Sequence, residues 1–242
     1  TDWDGLRAWL QDSYFSSSDT AVITDLLVDA GWLTSADDMI VTDYTGDGRY
    51  DWALLLYPPD TASQDNRLPG NIWVVNGSGI IYQHYDAPSD LGFSLQLQLL
   101  PAYNVTDDGL PELIINEESC GAHTCFTGIQ VFTYQRGAFR NIVRPDDPEG
   151  SVFISVPYAD ISFEDATGDA IVDILVHGGA IVSAGAGIVR TYTEIWSWDR
   201  EYGALMLADT VLDPTDYRHH IVYEANERYN AGDLAAARDL YT

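Results

Sequence analysis

The amino-acid sequence predicts a mainly β protein of three four-stranded antiparallel units, with a helix pair before them and a helical hairpin after them. The first observation is a nine-residue acidic segment that occurs three times, beginning at residues 43, 104 and 165, always 61 residues apart. The second is that each copy leads directly into an apolar run with strand character. The third is a change from helical to strand periodicity near Asp38, and back to helical periodicity after Pro214.

Residues 1 to 34 are predicted to form a pair of helices. The apolar residues of the first helix recur at helical spacing: Trp3, Leu6, Ala8, Trp9, Leu10 and Tyr14. Asp19 is the predicted N-cap of the second helix, and Gly31 is its predicted stop. The second helix carries one apolar face: Val22, Ile23, Leu26, Leu27 and Ala30. Because such short amphipathic helices need an apolar surface to lie on, we expect them to cover the β domain.

Residues 35 to 213 are predicted to form the β domain, in repeats of about 38–90, 91–149 and 150–212. Each repeat contains four apolar or alternating runs, with the acidic segment between the first two. The predicted strands are 39–44, 52–57, 71–75 and 80–85; then 93–103, 113–116, 129–134 and 139–143; then 152–163, 174–177, 189–198 and 205–212. A four-stranded antiparallel unit repeated in this way is typical of a propeller blade. Since all three units are complete, we expect a compact three-bladed arrangement; a part of a larger ring is the alternative.

The acidic segments read DYTGDGRYD, NVTDDGLPE and DATGDAIVD, with oxygen-bearing side chains at positions one, three, five and nine. Ca²⁺ takes six to eight oxygen ligands, and a glycine lets such a loop turn sharply. The segments resemble the calcium loops of integrin-α-type (FG-GAP) propeller repeats and of the VCBS repeats of bacterial secreted proteins, over about residues 35 to 212. The resemblance implies a calcium-binding recognition domain. Two positions depart from it: position three is always Thr, and position six of the third copy is Ala170.

Each segment is predicted to bind one Ca²⁺ through four side chains and the main-chain carbonyl of its seventh residue. The predicted ligands are Asp43, Thr45, Asp47, Arg49 and Asp51 in the first copy, Asn104, Thr106, Asp108, Leu110 and Glu112 in the second, and Asp165, Thr167, Asp169, Ile171 and Asp173 in the third. The alternative is that these side chains only accept hydrogen bonds from turn amides. With so few formal charges per loop, a calcium Kd of about 10⁻⁴ to 10⁻³ M is expected.

The composition excludes several classes of function. The chain carries 38 acidic residues against 11 basic ones, a net charge of -27, and every basic residue is Arg because the sequence contains no Lys. Lysine-dependent chemistry is therefore excluded, and a nucleic-acid partner is not expected from so acidic a chain. No apolar run approaches the ~18 residues of a membrane span. Motifs of zinc proteases, serine hydrolases and phosphate-binding loops are missing from the sequence. Glu117 and Glu118 are adjacent, so on a strand they point to opposite faces.

The two cysteines predict a small disulfide and an oxidising environment. Cys120 and Cys125 lie close together in the chain, and no second cysteine or histidine pair completes a zinc ligand set. A disulfide favours a secreted or cell-surface protein. In the integrin-type resemblance, the loops opposite the acidic segments contact ligands. His123 in the loop between the cysteines, with Asp60 and Arg67 in the 58–69 loop, are therefore candidate ligand contacts; plain exposed loop residues are the alternative.

Residues 214 to 242 are predicted to be helical. Their spacing resembles one tetratricopeptide unit at Ile221, Ala225, Tyr229, Gly232, Asp233, Leu234, Ala237 and Tyr241. Such a unit cannot bury its own face, so it either begins a longer helical array or docks on the β domain.

The whole sequence predicts an extracytoplasmic calcium-binding module of bacterial type, for protein or glycan recognition within a larger secreted or surface protein. Two alternatives belong to other classes: a secreted hydrolase or lyase acting on polysaccharide, and a purely architectural spacer. An acidic pair facing across a cleft, roughly 5–9.5 Å apart, would favour the enzyme.

Overall fold

The computed structural model describes residues 2–16, 19–59, 70–85, 94–121, 124–143, 153–180 and 189–241. Its strands form three antiparallel sheets in chain order, preceded by a helix pair and followed by a helical hairpin. The predicted fold class is thereby confirmed. The described strands form open sheets and not a closed barrel.

The helix pair consists of α1 (Trp3–Ser16) and α2 (Thr20–Asp29). The Asp19 side chain accepts a hydrogen bond from the Ala21 amide and caps α2, while Gly31 follows the helix with a φ of 76°. The predicted apolar face of α2 is only partly buried. Ile23 and Leu27 are buried, whereas Val22 and Leu26 are each 49% exposed, because the sheet contacts one narrow stripe of a helix this short.

The first sheet contains β1 (Met39–Thr42), β2 (Asp51–Leu56), β3 (Asn71–Asn76) and β4 (Gly79–Tyr85), hydrogen-bonded in that order. Every residue of β2 is buried. One face of the sheet packs on α1 and α2, and the other packs on the second sheet. Covering on both faces explains why β2 and β3 are continuous apolar runs without the alternation of a half-buried strand.

The second sheet contains β5 (Ser94–Leu100), β6 (Leu113–Cys120), β7 (Cys125–Gln135) and β8 (Ala138–Asn141), with β9 (Ile154–Pro157) paired to β7. This sheet has five strands, and the predicted single strand over 152–163 is wrong. The chain turns at Tyr158, which has a φ of 48°, so residues on either side belong to different sheets. The third repeat thus supplies a strand to the second sheet.

The third sheet contains β10 (Asp160–Glu164), β11 (Asp173–Gly178), β12 (Tyr192–Asp199) and β13 (Ala204–Leu212). An apolar cluster of residues such as Val131, Ile174 and Trp196 lies between the second and third sheets. The Leu205 amide also donates a 2.8 Å hydrogen bond to the Ile142 carbonyl. The helix pair and the three sheets therefore form successive layers, each separated from the next by its own apolar cluster.

The helical hairpin consists of α3 (Arg218–Asn230) and α4 (Leu234–Tyr241). Ala225 and Ala237 are its buried residues. An ion pair of 2.6 Å between Arg190 and Glu224 links the hairpin to the segment before β12. None of the helices in the described residues is both long and apolar enough to cross a membrane.

Candidate functional site

The three acidic segments, called here the first (43–51), second (104–112) and third (165–173) loops, each join the first two strands of a sheet. The first and second loops touch, since a Cβ built on Gly46 would lie 3.0 Å from a methyl group of Leu110. Beside the second and third loops, the rings of Tyr103 and Phe163 stack with centroids 4.5 Å apart. The repeat therefore gathers the loops at one end of the layered sheets.

The first and third loops share one hydrogen-bonding pattern. The carboxylate at position nine accepts bonds of 2.8 to 3.0 Å from the amides at positions two and three. The carboxylate at position one accepts bonds of 2.7 to 3.0 Å from the amides at positions four and six. The carboxylate at position five binds the amide at position seven. The carboxylates at positions one, five and nine belong to Asp43, Asp47 and Asp51, and to Asp165, Asp169 and Asp173.

This pattern contains the turn-amide bonds that were the alternative to calcium binding, but it does not use every oxygen. Oδ1 of Asp51 and Oδ1 of Asp173 are buried and accept no hydrogen bond of ordinary geometry from the described residues. Both residues are 0% exposed. A buried acceptor without a donor costs about 1–3 kcal/mol, and more when it is charged. The two loops therefore each hold one oxygen that a bound cation would satisfy.

Two of the loop carboxyls have raised pKa values. Burial raises the pKa of Asp51 to about 6, and hydrogen bonds from Thr45 and Tyr44 offset part of the effect. Burial likewise raises the pKa of Glu112 to about 7, partly offset by the Val105 amide. Removal from water disfavours the ionised carboxylate in both cases. A proton and a cation would therefore compete for the same oxygens.

The second loop satisfies its own oxygens more fully. Glu112 accepts from the Val105 amide at 2.8 Å with one oxygen and from the Thr106 hydroxyl at 3.2 Å with the other. Asn104 accepts from the Thr106 amide, and Asp108 accepts from the Leu110 amide at 2.9 Å. In the first loop the equivalent Thr45 hydroxyl also lies near Asp51, but not in the geometry of an ordinary hydrogen bond. The geometry thus favours the first and third loops over the second as cation sites.

The substitution of Ala for Gly at position six does not alter the third loop. Ala170 has a φ of 70°, against 81° for Gly48 and 83° for Gly109. All three residues occupy the left-handed region that normally favours glycine. The third loop, with Ala at position six, therefore adopts the same backbone conformation as the loops that have Gly there.

At the opposite end of the second sheet, the predicted disulfide joins Cys120 and Cys125, which pair directly across β6 and β7. A carboxylate oxygen of Glu118 lies within 4.8 Å of both sulfurs, but sulfurs in a disulfide are not thiolate ligands. The candidate ligand contacts His123, Asp60 and Arg67 lie outside the described residues.

The structure also shows two polar contacts of histidine that the sequence did not reveal, one between two sheets and one at the end of the third sheet. His84 Nε2 lies 2.7 Å from Glu117 Oε1, which also accepts a 2.6 Å hydrogen bond from Nε2 of Gln130, so this network links the first and second sheets. His177 Nε2 lies 2.8 Å from Asp213 Oδ2 at the end of the third sheet. Glu117 and its neighbour Glu118 point to opposite faces of β6, as the strand period requires.

A polar pocket of about 280 Å³ lies where the connection before β1, the end of β2 and the edge strand β5 meet. Its polar lining consists of Thr34, Asp38, Tyr57, Gln96, Gln98, Asn116 and Glu118. The sequence contained one sign of it, the polar residues that alternate with leucine in β5. A larger cavity of about 420 Å³ between α1 and α2 has an almost wholly apolar lining.

Comparisons with known protein families, with curated proteins and with solved structures found no match.

Proposed function

We propose that this chain is a calcium-stabilised recognition module that acts outside the cytoplasm and contacts a protein or a glycan. The observation that carries the calcium part is the pair of buried, unpartnered oxygens of Asp51 and Asp173, which occupy the same position in two equivalent loops. A bound cation would pair with these oxygens and neutralise carboxylates that otherwise repel one another.

The ligand chemistry favours Ca²⁺ over other cations. Carboxylate, hydroxyl and carbonyl oxygens suit a hard cation, whereas zinc prefers the imidazole and thiolate ligands that these loops lack in sequence. Mg²⁺ also binds oxygen but demands a tighter octahedral arrangement.

The recognition part rests on the architecture and on the disulfide. Rigid sheets that carry loops at both ends are a common support for binding residues. The Cys120–Cys125 disulfide supports an oxidising environment outside the cytoplasm. Cations would then stabilise the end that carries the three acidic loops, and the opposite end would contact the partner.

Calcium removal tests the proposal. Binding to the native state alone stabilises by about 1.4 kcal/mol at ten times Kd, so a few millimolar Ca²⁺ should raise the Tm of chelator-treated protein by about 3–6 °C. Asp51→Asn and Asp173→Asn should each remove part of this shift, since the two loops share one geometry, and Mg²⁺ should give a smaller shift. Glu201→Gln, in an exposed turn, is the control. Identical melting curves in calcium and in chelator would show that the loops are self-satisfied turns.

A further inference from the structure

The polar pocket beside β5 has the composition of a ligand site, and we propose that it binds a single neutral sugar residue. The inference rests on the proposed recognition function and names its ligand class. Its centre is a square of four polar side chains on two paired strands. Gln96 pairs directly with Glu118, and Gln98 pairs directly with Asn116. Residues paired in this way lie side by side on the same face of the sheet.

The hydrogen-bonding capacity of this square is not fully used. The Asn116 amide donates a long bond of 3.4 Å to Gln98 Oε1. Oδ1 of Asn116 is buried and receives no hydrogen bond from the described residues. A buried amide oxygen without a donor is costly, so a ligand hydroxyl that donates to it would be stabilising. Side-chain amides both donate and accept, which matches the dual character of sugar hydroxyls.

The charge of the lining selects against anions. Among the described residues, the pocket is lined by two carboxylates, those of Asp38 and Glu118, and by no arginine. Asp38 is already engaged, since its Oδ2 accepts from the Thr34 amide at 2.7 Å and the Ser35 amide at 3.1 Å. Glu118 is left to accept from a ligand hydroxyl. A ligand that carried a carboxylate or phosphate would be repelled.

The size and the apolar part of the pocket limit the ligand further. A volume of about 280 Å³ lies just below the usual range of roughly 300–1,000 Å³ for small-molecule sites, which suits one sugar ring and not an extended chain. Tyr57 is the half-buried aromatic residue of the lining, whereas Leu55 and Leu97 are buried in the core between the first and second sheets. The Tyr57 ring would pack against the C–H face of the sugar while the amides bind its hydroxyls. The open side of the pocket would let a glycan continue into solvent.

Matched sugar probes test this site. Saturation-transfer NMR and calorimetry would compare three neutral probes, namely methyl glucoside, methyl galactoside and N-acetylglucosamine, with glucuronate, which keeps the ring of glucose but adds a negative charge. At least one neutral probe should bind with about ten-fold or greater preference over glucuronate. Gln96→Ala and Gln98→Ala should each weaken binding several-fold, whereas Gln135→Ala, an exposed glutamine at the end of β7, should not. Melting curves would confirm that the variants fold.

Three results would overturn the site. The first is a lack of binding by all three neutral probes, and the second is equal binding by glucuronate. The third is that calcium shifts the side-chain amide resonances of Gln96 and Gln98 and prevents the sugar from binding, because the pocket would then be a cation site. Recording every titration both with calcium and with chelator separates this proposal from the calcium proposal. A sugar that binds equally in both conditions would support the pocket even if the melting curves ruled out calcium in the loops.

Discussion

At the residue scale, Ala170 shows how strongly the loop geometry governs its backbone. It adopts a φ of 70°, although a side chain at such an angle is disfavoured by about 1–2 kcal/mol. The hydrogen bonds of Asp165 to the amides of Gly168 and Ala170 hold it there. Local hydrogen bonding therefore outweighs the preference of a single residue.

Ala170→Gly should raise the free energy of unfolding by about 1 kcal/mol, because glycine relieves the strain of the left-handed conformation. Gly48→Ala should lower it by a similar amount, since a Cβ at Gly48 would meet nothing within 4 Å and only the backbone is affected. Urea denaturation in chelator measures both changes. A destabilised Ala170→Gly protein would contradict this account of the third loop.

The buried loop carboxyls predict that low pH stabilises the metal-free protein, whereas calcium stabilises the protein more at higher pH. In the folded state the pKa of Asp51 is raised from 3.8 to about 6, and that of Glu112 from 4.5 to about 7. Without metal, their contribution to stability is fully present below about pH 4 and is lost as the pH rises through 6 and 7. Calcium binds the ionised form, so its stabilising effect should shrink as the pH falls below about 6.

Melting temperatures in calcium and in chelator, measured from pH 5 to pH 8, would show this trend as a difference that grows with pH. Asp51→Asn should flatten the difference, because the variant side chain does not ionise. A calcium shift that is the same at pH 5 and pH 8 would exclude Asp51 as a ligand.

At the scale of elements, β9 belongs to the third repeat but pairs with a strand of the second sheet. This arrangement requires the main chain at Pro157 to lie close to the main chain at Gly178. The Gly179 amide donates a 2.8 Å hydrogen bond to the Pro157 carbonyl, and a Cβ on Gly178 would lie 2.6 Å from the same oxygen. A side chain at Gly178 would therefore push β11 away from the turn between β9 and β10. Contact between these segments requires glycine at this position.

Gly178→Ala should destabilise the protein by about 1–3 kcal/mol, the usual cost of overpacking, because the obstructing atom belongs to the main chain and does not move aside. Gly77→Ala is the matched control, since its nearest contact would be an ordinary 3.6 Å. Chemical denaturation compares the two variants. Equal stabilities would mean that the β9–β11 contact is looser than described.

At the scale of the whole molecule, the layers are held by apolar clusters while the surface carries a net charge of -27. Like charges at this density repel one another and oppose the compact state. The clusters between the layers must offset this repulsion, and bound cations would reduce it.

Sodium chloride should therefore raise the Tm of the chelator-treated protein, because ions screen exposed charges beyond about 10 Å at 0.1 M. Melting curves at about 0.02 M and 0.5 M salt measure the effect. Calcium at a few millimolar should add to it even in high salt, since a bound ion acts on buried oxygens that screening does not reach. A Tm that falls with salt would argue against self-repulsion.

The loops and most of the strands could be predicted from the amino-acid sequence. Bonds such as those from Tyr44 and Thr45 to Asp51 join residues at most seven apart, so a short motif specifies them. The strand periodicity is equally local. The disulfide was also predictable, because a cysteine pair five residues apart needs only a tight hairpin.

The contacts between distant segments could not be predicted in the same way. Residues 152–163 form one apolar run, yet the turn at Tyr158 assigns their two halves to different sheets. The exposure of Val22 and Leu26 depends on how much of α2 the first sheet covers. The polar pocket beside β5 requires the strand register that pairs Gln96 with Glu118. Contacts between segments far apart in the chain arise from packing and strand register, and local sequence patterns predict neither.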